Sequence, residues 1–474
     1  MDRKNIIFIV MDTARAGNFS FYGYDRETAP FLNKLVDESV LYKNAVSQHI
    51  WTMPSHACIF KNEYGKDHRA TSDDFRLEEN PLINKLNEEG YYTSAISNNR
   101  WITEDFGWDE GFDNFKFLYD DFPFENDDEL WNKFSENDDK GWTESLKFGK
   151  YIDYTIECMK KGNLKQIFNG IYYLLNQKLH IGDSGAKSTN EIFRSNFDPE
   201  KANFFFMNYI EPHGPYRPKI GYRREFLSDD VDKEDLFKNE HSLAHQFLNG
   251  NVDSSERQME IMRSLYDAEI KYLDSRLKEL YNFLKEEGEL EDTFLIIASD
   301  HGEYFGEHNL YRHNGGIYPE ITNVPLLVRY PDGRQKKVEE PVEIKDLHSF
   351  VDQISQGEKP SLKCSDYAFS EYYRGITSQL EDRLEVDRPE VLEYQVTAQD
   401  KSHFLKIRQS DEEFWDLEKW KQVDEETEKR KEMRERIKEK FSDVIDNPES
   451  FVTQENKEVE EEVKSQLEKL GYMN

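Results

Sequence analysis

The chain has 474 residues, of which 96 are acidic and 62 are basic, so its formal net charge is -34. This acidic excess argues against nucleic acid or an anionic membrane as a partner and predicts a well-hydrated surface. The three cysteines are widely spaced and form no CxxC pattern, so the sequence supports neither a disulfide framework nor a thiolate zinc site.

The N-terminus and the hydropathy of the chain bear on its location. The apolar run in MDRKNIIFIVMDTAR is too short for a secretory signal and is not followed by a small-residue cleavage site. No apolar stretch is long enough to cross a bilayer. We therefore predict an intracellular, cytoplasmic protein without a transmembrane segment. Its acidity fits either a salt-adapted cytoplasm or an ordinary acidic soluble protein.

Apolar, β-rich runs alternate with helical segments along most of the chain. The run NIIFIVMD predicts a buried parallel strand that ends in Asp12. Further strands are predicted at 91–97, 202–210, 293–299 and 324–330, and helices at 29–39, 80–90 and 256–287. This alternation predicts an α/β fold with a large, mostly parallel sheet flanked by helices.

Two regions depart from this alternation. A polar, aromatic and acidic insertion at about 105–200 contains KQIFNGIYYLLNQKL, which predicts a satellite helix on the sheet, an amphipathic lid or a helix on a membrane surface. From about 365, segments such as EYQVTAQD and SHFLKIRQ predict a small antiparallel sheet. We therefore expect a catalytic α/β domain over 1–360, a small C-terminal α+β subdomain over 361–425 and a charged helical tail over 426–474.

The stretch WTMPSHACIF brings a threonine, a proline and a histidine together. Pro54 fixes its own backbone and pushes Met53 toward extended geometry. We therefore expect Thr52 at a corner where a strand or loop becomes a helix opened by Ser55. The Thr52 hydroxyl either caps that helix or acts as a nucleophile, and local sequence alone favours the cap.

Two other stretches directly follow predicted strands. SDHGEYFGEHNLYRHNGG begins with Asp300 and His301 at a strand end and carries two further histidines, which favours a metal or phosphate site. NYIEPHGPYRP holds His213 between two prolines, which stiffen its loop. Because a parallel sheet brings the carboxyl ends of its strands to one edge, we expect these residues to meet Asp12 and Thr52 there.

The residues expected at this edge suit the cleavage of an anionic ester. Two carboxylates and an imidazole can hold a divalent cation, and a hydroxyl coordinated to that cation becomes a nucleophile. The other histidines and Arg15 would bind the oxyanion of a phosphate or sulfate ester or protonate the leaving oxygen. A second cation would need another carboxylate near His213, and Glu211 is the only nearby candidate in the sequence. We therefore expect a single cation.

The chain resembles the sulfatase family of the alkaline phosphatase superfamily in motifs that occur in the family's order. They are IIFIVMDTAR, FYGYDRETAPFLNKLVDESVLYKNAVSQ, WTMPSHACIF, NYIEPHGPY, YDAEIKYLDSRLKEL and SDHGEYFGEH. This resemblance covers most of residues 4–330, and HFLKIRQSDEEFWDLEKW resembles the closing strands of the smaller sulfatase subdomain. It implies an enzyme that hydrolyses ester bonds.

The resemblance also implies roles for particular residues. The metal ligands would be Asp12, Thr52, Asp300 and His301, the catalytic groups Thr52, His213, His308 and His313, and the substrate-binding groups Arg15, His56, His213 and His313. Thr52 would be the nucleophile, and the cofactor would be one divalent metal ion: Mn²⁺, Zn²⁺, Mg²⁺ or Ca²⁺.

Departures from the sulfatase pattern bear on the substrate. Sulfatases carry a Cys or Ser in C-x-P-S-R that is oxidised to formylglycine, whereas this chain has Thr52, which cannot become an aldehyde by that route, and His56 replaces the arginine. Met11 stands where sulfatases often have an aspartate. His313 stands where they often have a lysine, which shifts the site toward manganese or zinc. Cys58 lies outside the modification pattern, and we expect it to face the core.

At these positions the chain resembles relatives of the sulfatases that use threonine, such as lipoteichoic acid synthases, phosphoethanolamine transferases and nucleotide pyrophosphatases. These relatives act on phosphoesters. We therefore predict a metal-dependent hydrolase of phosphate or sulfate esters that favours phosphoester or phosphodiester bonds. Three alternatives stay open: transfer to an alcohol acceptor, a sulfatase acting on a sulfated glycan or small molecule, and an inactive module that binds an anionic sugar. The predicted partner is a small-molecule, glycan or lipid-linked anionic ester, and not nucleic acid.

Overall fold

The computed structural model describes residues 3–70, 75–118, 184–228, 230–231, 256–373 and 393–445, with Pro389 and isolated positions between 156 and 168. Its strands, in chain order, are β1 (Asn5–Met11), β2 (Val40–Tyr42), β3 (Ala45–Val46), β4 (Tyr92–Ser97), β5 (Asn114–Phe117), β6 (Asn203–Tyr209), β7 (Thr293–Ala298), β8 (Tyr304–Phe305), β9 (Tyr311–Arg312), β10 (Asn323–Val324), β11 (Leu326–Arg329), β12 (Lys336–Val338), β13 (Val342–Glu343), β14 (Ala368–Tyr372), β15 (Gln395–Gln399), β16 (His403–Arg408), β17 (Glu412–Asp416) and β18 (Lys421–Gln422). The α-helices span Pro30–Leu35, Thr52–Lys61, Gly65–His68, Pro81–Glu88, Ala186–Asn196, Ile220–Phe226, Glu256–Glu286, Pro319–Thr322, Leu347–Ser355 and Glu428–Ile445.

The main sheet has eight strands in the order β12-β2-β11-β7-β1-β6-β4-β5. Strand β1 lies near its centre and is parallel to both β6 and β7. Every residue of these three strands is buried, as expected for parallel strands whose two faces are both covered. Only β11 runs antiparallel to its neighbours, β7 and β2. The predicted α/β fold with a mostly parallel sheet is therefore confirmed.

Helices cover both faces of this sheet. Alternate residues of β1 point to opposite sides, so Phe8 belongs to one hydrophobic cluster and Ile9 to the other. The first face packs against the Thr52–Lys61, Pro81–Glu88 and Leu347–Ser355 helices. The second face packs against the Pro30–Leu35, Ala186–Asn196 and Glu256–Glu286 helices. The carboxyl ends of the parallel strands thus open between two helical layers, where α/β sheets bind ligands.

The sheet extends into the region expected to be an insertion. Strand β5 pairs in parallel with β4 and forms one edge of the sheet, and the helix Ala186–Asn196 packs on a sheet face. Both elements lie within the predicted insertion at 105–200. Most of the segment KQIFNGIYYLLNQKL lies outside the described residues, so the predicted lid stays a prediction. Among the described helices, none is long and apolar enough to span a membrane.

A second sheet lies in the C-terminal part of the chain. Its five strands are antiparallel in the order β14-β15-β16-β17-β18, which confirms the predicted small antiparallel sheet. The helix Glu428–Ile445 buries four apolar side chains in the hydrophobic cluster that includes this sheet. They are Met433, Ile437, Phe441 and Val444. The described part of the predicted charged tail is therefore an amphipathic helix with a packed apolar face.

The C-terminal sheet is hydrogen-bonded to the residues that precede the Thr52–Lys61 helix. Ser370 Oγ of β14 donates to the Ser47 carbonyl at 2.5 Å, and the Glu371 amide donates to the Gln48 carbonyl at 3.0 Å. Gln48 Nε2 in turn donates to the Phe369 carbonyl at 3.3 Å. Strand β14 therefore supports the segment that leads into Thr52.

Candidate active site

The helix expected to open at Ser55 begins at Thr52, three residues earlier. The Ser55 amide donates to the Trp51 carbonyl at 3.0 Å, which places Met53 and Pro54 in the first turn. A proline is tolerated there because its missing N–H would have no partner within the helix. Trp51 occupies the capping position with extended backbone, and no side chain caps the helix. The extended geometry expected for Met53 and the capping role considered for Thr52 are both wrong.

The four predicted metal ligands meet at the carboxyl edge of the sheet. Ligand atoms of Asp12, Asp300 and His301 all lie within 4.8 Å of one another. His301 Nε2 is 3.4 Å from Asp300 Oδ2 and 3.5 Å from Thr52 Oγ1. Atoms bound to one tetrahedral cation at normal bond lengths are roughly 3.3 Å apart. The spacing of these side chains therefore suits the coordination of a single ion.

Backbone contacts orient two of these ligands. Asp300 Oδ1 accepts hydrogen bonds from the amides of Thr13 at 3.0 Å and His301 at 2.9 Å. Its other oxygen, Oδ2, is thereby turned toward His301 Nε2. His301 Nδ1 donates to the Gly302 carbonyl at 3.0 Å, so its Nε2 carries the free lone pair. The loop after β7 thus presents one carboxylate oxygen and one imidazole nitrogen to the same point.

Two buried oxygens at this point fit a divalent metal. Asp12 Oδ1 and Asp300 Oδ2 have no hydrogen-bond partner within the part of the chain that the structure describes. Burial, reinforced by the nearby Asp300 carboxylate, raises the pKa of Asp12. Buried carboxylate oxygens without a donor are costly, and a bound cation would offset both their lost hydration and their mutual repulsion. The donor set therefore fits the divalent ion that the sulfatase-like motifs imply.

A second group of side chains borders the first. His213, Glu303 and His313 have ligand-type atoms within 4.8 Å of one another. The His313 ring centroid lies 4.9 Å from that of His301 and 5.2 Å from that of His213. Burial lowers the pKa of both His213 and His313, so both rings are neutral near pH 7. The structure thus brings these two predicted histidines next to the candidate metal ligands.

Two other predicted site residues have partners in the walls of the site. Arg15 Nη1 donates to Glu307 Oε1 at 3.0 Å. His308 Nε2 lies 3.0 Å from Glu320 Oε1, and its ring stacks on Tyr318 with the centroids 3.6 Å apart. Both side chains hold the loops around the two groups of ligands. The substrate-binding role of Arg15 and the catalytic role of His308 stay predictions.

His56, expected to contact substrate, is fully buried under Thr52. Its Nδ1 donates to the Thr52 carbonyl at 2.8 Å, and its Nε2 accepts from Asn208 Nδ2 at 3.2 Å. Burial lowers the pKa of His56, which keeps the ring neutral in this arrangement. His56 therefore holds the first helical turn in place, and its predicted contact with substrate stays a prediction.

Glu303 is a site residue that sequence reasoning missed. We expected Glu211 to be the only carboxylate near His213, but Glu303 lies in the group of His213 and His313 instead. Glu211 Oε1 accepts hydrogen bonds from the amides of Ser184 at 3.1 Å and Ala186 at 3.3 Å, at the start of the Ala186–Asn196 helix. The interpretation of Glu211 as the only candidate is therefore wrong. The signal that could have found Glu303 was its place in the sequence, two residues after His301.

Asn99 is the second missed residue. Its Nδ2 donates to Asp12 Oδ2 at 2.5 Å and lies 3.4 Å from Thr52 Oγ1. Asn99 follows the carboxyl end of β4, as Asp12 follows that of β1. Polar residues that follow parallel strands meet at one edge of the sheet, and this rule, already applied to Asp12, would also have found Asn99.

Replacing Asn99 by alanine is expected to lower turnover by about 10- to 100-fold, the usual cost of removing a partner of a metal ligand. The reason is that Asp12 loses the donor that orients its carboxylate. The measurement is kcat/KM on the preferred ester, with Asn44→Ala as the control, because Asn44 Nδ2 donates to the Glu339 carbonyl at the exposed surface. Unchanged kinetics in Asn99→Ala would contradict this prediction.

Comparison with known proteins identifies the family of the chain. Residues 4–354 match the family described as Sulfatase. The chain belongs to the sulfatase family. An N-acetylglucosamine-6-O-sulfatase of Bacteroides thetaiotaomicron is 24% identical over 367 residues, which cover 69% of this chain and 63% of the relative, less than two thirds of its length. An arylsulfatase of Clostridium perfringens is 23% identical over 88% of each chain.

Solved structures of sulfatases and phosphonate hydrolases share the fold. A phosphonate monoester hydrolase of Agrobacterium radiobacter has a TM-score of 0.62 at 17% identity, covering 88% of this chain and 90% of that one. A 2-O GAG sulfatase has a TM-score of 0.62 at 15% identity, covering 94% of each chain. The predicted family and the predicted fold class are therefore both confirmed.

Proposed function

We propose that this sulfatase-family protein is a metal-dependent hydrolase that cleaves phosphate esters, and phosphodiesters in particular, with Thr52 as its nucleophile. The observation that carries this proposal is the position of Thr52 Oγ1. It lies at the edge shared by Asp12, Asp300 and His301, 3.5 Å from His301 Nε2, on a side chain that is 5% exposed. This hydroxyl lies beside the proposed metal ligands and makes no helix cap.

The identity of the nucleophile favours phosphorus over sulfur. Once a formylglycine hydrate has been sulfated, the resulting hemiacetal eliminates sulfate without a second attack on sulfur, and a threonine sulfate ester has no such route. A phosphothreonine can be opened by water at phosphorus. The substitution of threonine for the formylglycine-forming residue therefore fits phosphoester chemistry.

In this proposal, the residues around Thr52 carry out the attack on the ester. A divalent cation held by Asp12, Thr52, Asp300 and His301 would lower the pKa of the threonine hydroxyl and offset charge on the phosphoryl oxygens. In the first step Thr52 Oγ1 gives its proton to solvent and forms a bond to phosphorus, while the bond to the leaving oxygen breaks and that oxygen takes a proton from solvent. In the second step water attacks the same phosphorus, the bond between phosphorus and Thr52 Oγ1 breaks, and the proton lost by the water restores the Thr52 hydroxyl. Asn99 Nδ2 holds Asp12 during both steps.

The experiment is a comparison of matched esters. The purified protein is tested with Mn²⁺, Zn²⁺, Mg²⁺ and Ca²⁺ on para-nitrophenyl phosphate, bis(para-nitrophenyl) phosphate and para-nitrophenyl sulfate. We expect the highest kcat/KM on a phosphorus ester, and we expect mass spectrometry of the acid-quenched enzyme to find a phosphoryl group on the Thr52 peptide. A higher kcat/KM on the sulfate would overturn the proposal.

A second candidate function is the hydrolysis of a sulfate ester. Its support is the family itself, because relatives include an N-acetylglucosamine-6-O-sulfatase and a choline-sulfatase of Rhizobium meliloti. In that case Thr52 is a metal ligand or a weak nucleophile. A preference for para-nitrophenyl sulfate that survives in Thr52→Ala would support this candidate. Release of an ester of added glycerol would instead indicate transfer to an alcohol.

A further inference from the structure

We infer that Glu303 is a positioning residue, which holds His313 so that its Nε2 takes a proton from the water that releases Thr52. This inference rests on the proposed function, because it concerns the second step of that reaction. His313 Nδ1 lies 3.2 Å from Glu303 Oε1. An ionised carboxylate accepts hydrogen bonds and donates none, so Nδ1 carries the ring proton and the lone pair is on Nε2.

An ion pair favours the ionised form of Glu303. Burial raises the pKa of this carboxyl, and the charge of Arg312 counteracts that rise. Arg312 Nε lies 3.6 Å from Glu303 Oε1, and the Tyr216 hydroxyl donates to Glu303 Oε2. Arg312 Nη2 also donates to the Gly214 carbonyl at 2.8 Å, which fixes the guanidinium beside the carboxylate. A buried carboxylate that is paired and hydrogen-bonded in this way is stable as an anion.

The backbone of His313 is anchored beside the nucleophile. Trp51, the residue before Thr52, donates from Nε1 to the His313 carbonyl at 2.9 Å. The His313 ring centroid lies 4.9 Å from that of His301, whose Nε2 is 3.5 Å from Thr52 Oγ1. His313 is partly exposed and Glu303 is fully buried. Water therefore reaches the ring from the open side of the sheet edge, while the carboxylate holds the ring from the buried side.

His213 is held by a different kind of partner. Its Nδ1 donates to the Gly214 carbonyl at 2.5 Å. A carbonyl fixes the tautomer of a histidine as a carboxylate does, but a carboxylate also stabilises the imidazolium that forms when the ring accepts a proton. His313 is therefore better suited than His213 to act as the base.

The proton follows a closed path in this second step. Water attacks the phosphorus of phosphothreonine, its proton passes to His313 Nε2, and the bond between phosphorus and Thr52 Oγ1 breaks. His313 then gives that proton to Thr52 Oγ1, which restores the hydroxyl and the neutral ring. Without the carboxylate of Glu303, the ring is free to turn and to carry its proton on Nε2, where it has no lone pair for water.

Glu303→Gln is expected to slow the release of Thr52 by roughly 10²- to 10⁴-fold, the usual contribution of general acid–base catalysis. Phosphorylation of Thr52 should be much less affected. Rapid mixing with para-nitrophenyl phosphate should therefore give a stoichiometric burst of para-nitrophenolate, slow turnover and phosphothreonine on the Thr52 peptide. A merely structural role would slow both steps and give no burst. In a His313→Gln background, Glu303→Gln should have no further effect, because Glu303 acts through that ring.

A spectroscopic test does not depend on turnover. Long-range ¹⁵N–¹H NMR of the Zn²⁺-loaded full chain, labelled at histidine, shows which ring nitrogen carries the proton, and His313→Gln identifies the His313 signals. We expect the Nδ1-protonated form in the wild type and a gain of the Nε2-protonated form in Glu303→Gln. Glu320→Gln is the matched control, because Glu320 Oε1 lies 3.0 Å from His308 Nε2 in a similar pair. It should change the His308 signals and leave those of His313 unaltered.

A Glu303→Gln protein that slows both steps equally overturns the inference. Circular dichroism checks that this variant is folded, and if it is not, the tautomer of wild-type His313 decides. A wild-type ring protonated on Nε2 would overturn this inference whatever the substrate. A preference for para-nitrophenyl sulfate would overturn the proposed function whatever the tautomer.

Discussion

Thr52→Val is expected to lower phosphoester turnover by roughly 10⁴-fold or more, the scale seen when a catalytic nucleophile is removed. Valine keeps the β-branched shape of threonine, so the first turn of the Thr52–Lys61 helix should persist. What is lost is the oxygen that lies 3.5 Å from His301 Nε2. The measurement is kcat under saturating substrate and metal, with binding of inorganic phosphate as a check that the site is intact.

Thr103→Val is the matched control for this substitution. Thr103 is 7% exposed, and its hydroxyl has no hydrogen-bond partner among the described residues, so the same change of atoms should leave turnover unaltered. A Thr52→Val protein that retains most of its turnover would show that the hydroxyl is only a ligand and that another group attacks the ester.

Removing the metal is expected to abolish turnover and to lower the unfolding temperature, and adding back Mn²⁺ or Zn²⁺ should restore both. The folded chain holds Asp12 Oδ1 and Asp300 Oδ2 buried without a donor among the described residues, so the ion binds the folded state far better than the unfolded one. A ligand present at a thousand times its Kd stabilises a protein by about 4 kcal/mol. Differential scanning calorimetry with and without a chelator measures the shift.

Asp300→Asn tests whether this effect belongs to the proposed site. An asparagine oxygen can still accept the amides of Thr13 and His301, while the negative charge next to His301 Nε2 is lost. The variant should fold and show a much smaller stabilisation by metal than the wild type. Asp332→Asn, at an exposed aspartate paired with Arg334, should respond as the wild type does. An equal response of Asp300→Asn and the wild type would refute this location of the ion.

The strand ends were the predictable part of the site. Buried parallel strands are nearly continuous apolar runs, so the amino-acid sequence alone places the first acidic residue after each run, Asp12 after β1 and Asp300 after β7, at one edge of the sheet. The same reasoning applies to Asn99 after β4. Local pattern and the geometry of parallel sheets were sufficient for these residues.

The partners of side chains on loops were not predictable in this way. Glu211 follows β6 and Glu303 follows β7, yet one accepts amides at a helix start and the other contacts His313. The choice depends on how the loop after β6 turns relative to the helix Ala186–Asn196, a contact between distant parts of the chain. The start of the helix at Thr52 was missed for a local reason, because a proline is equally compatible with an extended approach and with a first helical turn.

The hydrogen bonds from β14 to Ser47 and Gln48 join the C-terminal sheet to the segment that leads into Thr52, although the family match ends at residue 354. An alignment confined to that match compares Thr52 with its counterparts without the strand that supports this segment. Relatives that share every ligand can therefore differ in reactivity through changes in β14 alone. Chimaeras that exchange C-terminal sheets would change the support of Thr52 while leaving Asp12, Asp300 and His301 unchanged, which offers both evolution and engineering a route to altered reactivity.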